Sequence, residues 1–182
     1  MDGANEEANW LQRSRHGDHA AFESLIGAHQ RMIYSITFRM TGSLPDAEDL
    51  TQETFIRAYE QLDHFRGESK FSTWLGRIAV NLCLNWRARE GRRDEIHSKW
   101  AADAITGPGA GEAFPDEMSR RVQAALQRLP AEQRAAIVLT VFENQSHADA
   151  ARALRCSEAT ISWRVFAARQ KLRRWLKDKS RE

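Results

Sequence analysis

An all-α protein of two small helical domains joined by a tether is the fold that the sequence predicts. Three observations carry that prediction. Apolar residues recur at helical spacing through most of the 182 residues. No stretch alternates apolar and polar residues in the manner of a strand. The segment ITGPGAGEAFPDE holds three glycines and two prolines in thirteen residues and has no helical period. The units expected are residues 10–92 and 117–179, with a flexible linker over 93–116.

Residues 20–40 place Phe22, Leu25, Ile26, Ile33, Ile36 and Met40 on one stripe, which predicts the first helix. TGSLP breaks the chain, and Ser43 with Asp46 resembles a capping box opening a helix over 46–62. HFRGES reads as a loop, with Ser69 as N-cap of a helix running to about Arg89. Beyond the linker a helix is expected over 117–129. Another follows over 131–143, with Pro130 suited to its first position. SHADAARAL, the turn RCS and EATISWRVFAARQKL close the chain with the outline of a helix-turn-helix, and Ser146 with Asp149, then Ser157, supply its caps.

Composition excludes several classes. Cys83 and Cys156 are too few for a disulfide framework and lack zinc-ligand spacing. His16 and His19 form an i,i+3 pair without further ligands, so no metal and no cofactor are expected. There is no phosphate-cradling Gly-rich loop, no HExxH and no ExxH pair, which argues against an enzyme. No apolar run approaches the roughly 18 residues of a membrane span. The start MDGANEEANW is acidic and polar rather than signal-like, so neither membrane insertion nor secretion is expected and the protein reads as cytoplasmic.

Net charge is only +2, but it is unevenly distributed. Residues 44–63 carry six acids against Arg57 alone; residues 69–93 carry six Lys/Arg against Glu90 alone; residues 158–182 carry eight Lys/Arg against three acids. An acidic block between two basic ones fits one protein partner and one polyanion.

On a wheel of residues 46–62, Asp46, Asp49, Glu53 and Glu60 gather opposite the apolar stripe, with Ile56 exposed at their edge. Like charges on one face cost stability, which points to a docking face for a basic partner. In the next helix Phe71, Leu75, Ile78, Leu82 and Trp86 form the expected buried stripe. Lys70, Thr73, Arg77, Asn81 and Asn85 form another, with Trp74 on its inner edge. Cations for phosphates, an indole for stacking and amides for base edges are what separated DNA strands require. In the last helix Ile161, Val165, Ala168 and Leu172 face inward; Thr160, Trp163, Phe166, Gln170 and Arg174 face outward, as groove or backbone contacts would.

DAEDLTQETFIRAYEQLDHFRGESKFSTWLGRIAVN closely resembles domain 2 of the extracytoplasmic-function (group IV) bacterial sigma factors, and LPAEQRAAIVLTVFENQSHADAARALRCSEATISWRVFAARQKLR resembles their domain 4. The resemblance spans about residues 10–177 and implies a promoter-specificity subunit of RNA polymerase that lacks the large middle domain of housekeeping sigma factors. It implies that the acidic helix docks on the β′ clamp helices through Asp49, Gln52, Glu53 and their neighbours. The next loop and helix would melt and read the −10 element, with a base flipped into a pocket near Phe65 and Asn81. It places the −35 contacts at Ser157, Thr160, Ser162, Trp163, Arg164, Phe166, Arg169, Gln170 and Arg174, and adds binding to the β flap. The tether would run toward the RNA exit path, and an anti-sigma factor would cover both domains. Arg155 stands in the turn where the family often has glycine. Ser162 and Trp163 occupy recognition-helix positions that are often basic and small, so the −35 preference is the feature most affected.

The alternative from another class is a free-standing helix-turn-helix regulator with a helical partner-binding domain. It would bind duplex promoter DNA unaided, whereas the acidic face beside a strand-melting helix predicts dependence on core polymerase.

Overall fold

The computed structural model describes residues 2–97 and 117–178. In chain order these form α1 (Asp2–Arg15), α2 (His19–Thr41), α3 (Leu44–Glu60), a 3-10 turn (Leu62–His64), α4 (Phe71–His97), α5 (Glu117–Gln127), α6 (Ala131–Ile137), a π-turn (Val138–Phe142), α7 (His147–Ala153) and α8 (Glu158–Asp178). No strand occurs among the described residues. The all-α prediction holds.

The N-terminal unit is a bundle of α1–α4 around α2. Asp18 caps α2 by accepting from the Ala21 N–H at 3.1 Å, and the Arg13 guanidinium beside it holds its carboxyl below the ordinary range. Gly42 ends α2 at φ +76°, a left-handed conformation that glycine adopts without a Cβ penalty. Ser43 then caps α3, which begins at Leu44, two residues earlier than expected. Between the two helices lies a buried hydroxyl pair. Thr37 Oγ1 is 2.9 Å from Thr51 Oγ1 and donates to the Ala47 carbonyl at 3.0 Å. Buried polar groups satisfied across two helices fix their register.

The sequence reading passed over α1. It lies on α2 through Trp10 and Leu11, which pack against the core, and Glu7 reaches His29 at 2.8 Å. Two other expectations change. The Ser69 hydroxyl donates to the Lys70 carbonyl instead of capping α4, and that carbonyl accepts the Trp74 N–H at 3.1 Å, which puts Lys70 at the cap. Pro130 is the N-cap of α6 rather than its first helical residue. α4 continues to His97, past the expected linker start at residue 93; residues 98–116 lie outside the described residues.

In the C-terminal unit, Ser146 caps α7 by accepting from Asp149 N–H at 3.0 Å, and Ser157 caps α8 through the Thr160 N–H at 3.1 Å. Arg155 in the turn between them takes φ +50°. The left-handed turn is kept without glycine.

The two units do not sit apart. α2 and α4 pack against α5, α6 and α7, and one continuous apolar core runs from Phe22 through Leu75 and Leu139 to Ala168.

Candidate functional site

Three surfaces carry the residues that the sequence singles out. On α3, Asp49, Gln52, Ile56 and Glu60 are exposed, and Asp46 and Glu53 are half-buried. Ile56 keeps 54% of its surface open, unusual for so large an apolar side chain beside carboxylates. Arg57 lies within this face: its Nε is 2.8 Å from Glu53 Oε1 and its Nη1 is 3.6 Å from Glu60 Oε2. These exposed pairs contribute little to stability, but they offset part of the like-charge repulsion. An open groove of about 680 Å³ separates α3 from α4; Asp46, Asp49 and Glu53 line one wall, and Leu82, Asn85 and Trp86 line the other. Asn85 is thereby separated from the set it was expected to join. It lies across the groove from the carboxylates, because four residues on from Asn81 a helix has turned about 40° further round.

The second surface is the loop after the 3-10 turn and the outer side of α4. Lys70 and Arg77 are exposed, and Thr73 and Asn81 half-buried. Trp74 is not available here. It is 6% exposed and sits in an aromatic cluster with Phe65 and Phe71, at ring-centroid distances of 5.3 and 5.5 Å. Phe65 is equally enclosed at 7%, and its carbonyl is held by the Arg15 guanidinium. Both residues were expected to meet DNA; both are core. The indole turns inward because Phe65 from the preceding loop packs beside it, a contact that no single-helix wheel contains. Asn81 Nδ2 reaches the Ala153 carbonyl of α7 at 3.5 Å.

The third surface is α8. Trp163 and Phe166 are 61% and 62% exposed, and Ser162, Arg169, Gln170 and Arg174 share the open side. Ser162 Oγ lies 2.9 Å from His147 Nδ1, which steadies α8 against α7. Thr160 is half-buried and pairs with the exposed capping Ser157, Oγ1 to Oγ at 2.8 Å. Arg164 departs from expectation. It turns back to Glu132 of α6 and to Cys156 Sγ, and only 16% of its side chain is exposed. It braces α8 instead of offering a cation outward. Arg152, which the sequence analysis does not name, and Arg155 are exposed around a shallow depression at the helix-turn-helix, with Arg152 paired to Asp149. The basic run RALR was the signal for Arg152.

Among the described residues no group of three or more His, Cys, Asp or Glu side chains could hold a metal ion, and no helix is long and apolar enough to cross a membrane. His16 and His19 are separately engaged, with the Gln12 carbonyl and the Tyr59 hydroxyl.

Comparison with known proteins matches the same two regions. The pattern of Sigma-70 region 2 fits residues 25–93, and that of Sigma-70, region 4 fits residues 119–172. The RNA polymerase sigma-H factor of Pseudomonas aeruginosa is 33% identical over 97% of this chain and 97% of its own length. The ECF RNA polymerase sigma factor SigW of Bacillus subtilis is 32% identical over 92% of this chain and 95% of its own. Among solved structures, the sigma factor RpoE in complex with the anti-sigma factor NepR from Bartonella quintana superposes with a TM-score of 0.72 at 27% identity, covering 86% of this chain and 96% of that one. CnrH in complex with the cytosolic domain of CnrY gives 0.69 at 25% identity, over 95% and 98%.

Proposed function

The chain belongs to the extracytoplasmic-function sigma factors, which give core RNA polymerase its promoter specificity, and on that premise we propose how its surfaces divide the work. The carboxylate-lined side of α3, with exposed Ile56 at its edge, docks on the β′ clamp helices. Asp46, Asp49, Gln52, Glu53 and Glu60 meet basic side chains there, and Asn85 joins them from across the groove. Lys70, Thr73, Arg77 and Asn81 engage the separated −10 strand; Phe65 and Trp74 support that surface from beneath. On α8, Thr160, Ser162, Trp163, Phe166, Arg169, Gln170 and Arg174 approach the −35 duplex, flanked by Ser157, while Arg164 positions the helix. The C-terminal unit also meets the β flap. The protein performs no catalysis of its own and acts in the cytoplasm.

The single observation that carries this reading is the open acidic side of α3, at whose edge Ile56 has no cover among the described residues. Charged groups beside an apolar anchor give protein interfaces both speed and specificity. Control by an anti-sigma factor is supported by two structural relatives, each solved with such a partner or the cytosolic domain of another protein. Run-off transcription tests the whole: core polymerase plus this protein gives promoter-dependent transcripts, and core alone does not. A chain that binds duplex promoter tightly by itself, and adds nothing to core, is instead a free-standing regulator.

A further inference from the structure

Residues 66–70 connect the 3-10 turn to α4, and all of them except Ser69 are exposed. The loop is pinched at its base. The Phe65 and Phe71 rings on either side of it meet edge-to-face at a centroid distance of 5.3 Å, and both are buried. At the tip Gly67 takes φ +74°, and a Cβ there would meet nothing within 4 Å, so glycine serves the backbone and not a tight fit. A loop with so open a tip takes its direction from whatever holds its two ends.

Both ends are tied to α1. In its last turn Arg15 donates from Nη2 to the Phe65 carbonyl, the last one before the loop. At the other end Glu7 Oε2 lies 2.8 Å from His29 Nε2, and the His29 ring stands edge-on to Phe71, the first residue of α4, at 5.5 Å between centroids. Glu7 and Arg15 are separated by about 12 Å along the helix axis, so one rigid element reaches both ends. Trp10 and Leu11, between them, seat that element on the core. The matched region 2 pattern begins only at residue 25, after α1 has ended.

We propose that α1 is a positioning element for −10 recognition, in which Arg15 and the Glu7–His29 pair fix the direction of the 66–70 loop. The inference rests on the assignment of Lys70 and its neighbours to the separated strand. A guanidinium-to-carbonyl hydrogen bond is charge-assisted and directional, so it sets the plane of the Phe65 peptide and the path on which Arg66 leaves it. A loop held in its reading geometry beforehand has less freedom to lose when DNA binds, and less freedom to adjust to a wrong base. Arg15 acts through the Phe65 peptide and not on a base. Its side chain is otherwise exposed, so the core does not depend on it. Lysine there keeps the charge and a donor but loses the planar fork.

The test uses the full chain with core polymerase. A promoter that gives core-dependent run-off transcripts with the parent is randomised over its −10 positions, a second pool is randomised over its −35 positions, and the transcribed templates are sequenced. Arg15→Ala lowers the preference for the selected −10 bases about tenfold, the factor carried by one hydrogen bond to a charged group. It leaves the −35 preference and the affinity for core unchanged, and the thermal midpoint within about 2 °C of the parent. Arg15→Lys recovers part of the loss, and Glu7→Ala acts in the same direction from the other end of the loop. Folded Arg15→Ala and Glu7→Ala proteins with the parent's −10 preference overturn the proposal. A loss shared equally by the −10 and −35 positions also overturns it, because it marks a general structural role. Spin labels at Glu68→Cys and Arg31→Cys, in a Cys156→Ser background, read the loop without core or DNA. Their distance distribution broadens in Arg15→Ala, and an unchanged width overturns the brace whatever transcription does. A parent that yields no core-dependent transcript removes the sigma-factor reading and the loop's reading role together, while the label distances still decide whether Arg15 holds the loop.

Discussion

Replacing Trp74 by alanine separates a core indole from a base-stacking one. The structure buries Trp74 to 6% exposure against Phe65 and Phe71. An aromatic side chain of this kind buries about 150–250 Å². At about 25 cal/mol/Å² that area corresponds to roughly 4–6 kcal/mol as an upper bound. Measured Trp→Ala truncations in cores fall at about 3–5 kcal/mol once partial collapse is included. Against a total stability of about 5–15 kcal/mol, that is roughly a fifth or more. With roughly 2–4 °C lost per kcal/mol for a chain of this size, the thermal midpoint falls by about 6–20 °C. Trp163→Ala is the matched control, because the same side chain is 61% exposed there; it stays within about 0.5 kcal/mol of the parent. Thermal melts followed by circular dichroism on the full-length variants give both numbers. Promoter opening is read in parallel by permanganate reactivity of unpaired thymines. If Trp74→Ala melts within about 2 °C of the parent yet no longer opens a promoter, the indole acts on DNA and its buried position is the wrong guide to its role.

Glu53→Lys reverses one charge on the α3 face and breaks the exposed pair with Arg57; it changes stability by less than about 1 kcal/mol but weakens competition for core polymerase at least tenfold, and equal competition would remove Glu53 from the docking face. Arg155→Gly relieves a left-handed residue at φ +50°; relief of about 1–2 kcal/mol, less the entropy glycine adds to the unfolded chain, leaves roughly 0.5–1 kcal/mol of stabilisation in urea titrations. A destabilised Arg155→Gly would show that the side chain, not the backbone, decides this turn. Burial pushes the Cys83 thiol from an ordinary value near 9 up to about 12, so at pH 8 iodoacetamide modifies Cys156 and spares Cys83 until the protein unfolds. The sign follows for stability: the unfolded thiol ionises first, so the contribution is complete below about pH 9 and is lost as pH rises toward about 12. Labelling of both thiols in the folded protein at equal rates would contradict this.

Much of this architecture is legible in the sequence because it is local. The caps Ser146 and Ser157 and the breaks at Gly42 and Pro130 depend on residues within a few positions of each other. The exposed side of α3 and the outward Trp163 and Phe166 follow from one period and one apolar stripe. What escaped is long-range. Trp74 is buried by Phe65 from a loop, Arg164 is drawn back by Glu132 of another helix, and α1 gains its place only from the surface that α2 presents. Each is a pairing whose partner sits outside the window in which periodicity is read.

The case of α4 goes further, because its pattern records two environments. One side meets α2 and α3; the other, with Gly76 and Asn81, meets α6 and α7. A helix buried on two sides for good would carry apolar residues on both. Here the second side keeps an exposed Arg77, a half-buried Asn81 and a glycine, a poor composition for a permanent seam and a good one for polyanion contact. Gln123, Gln127 and Arg134 bring the same polarity to the opposing surface, where their side chains donate to the Phe38, Arg39 and Met40 carbonyls at the end of α2. A wheel that assigns such a helix one buried stripe leaves its second contact side to be read as free surface.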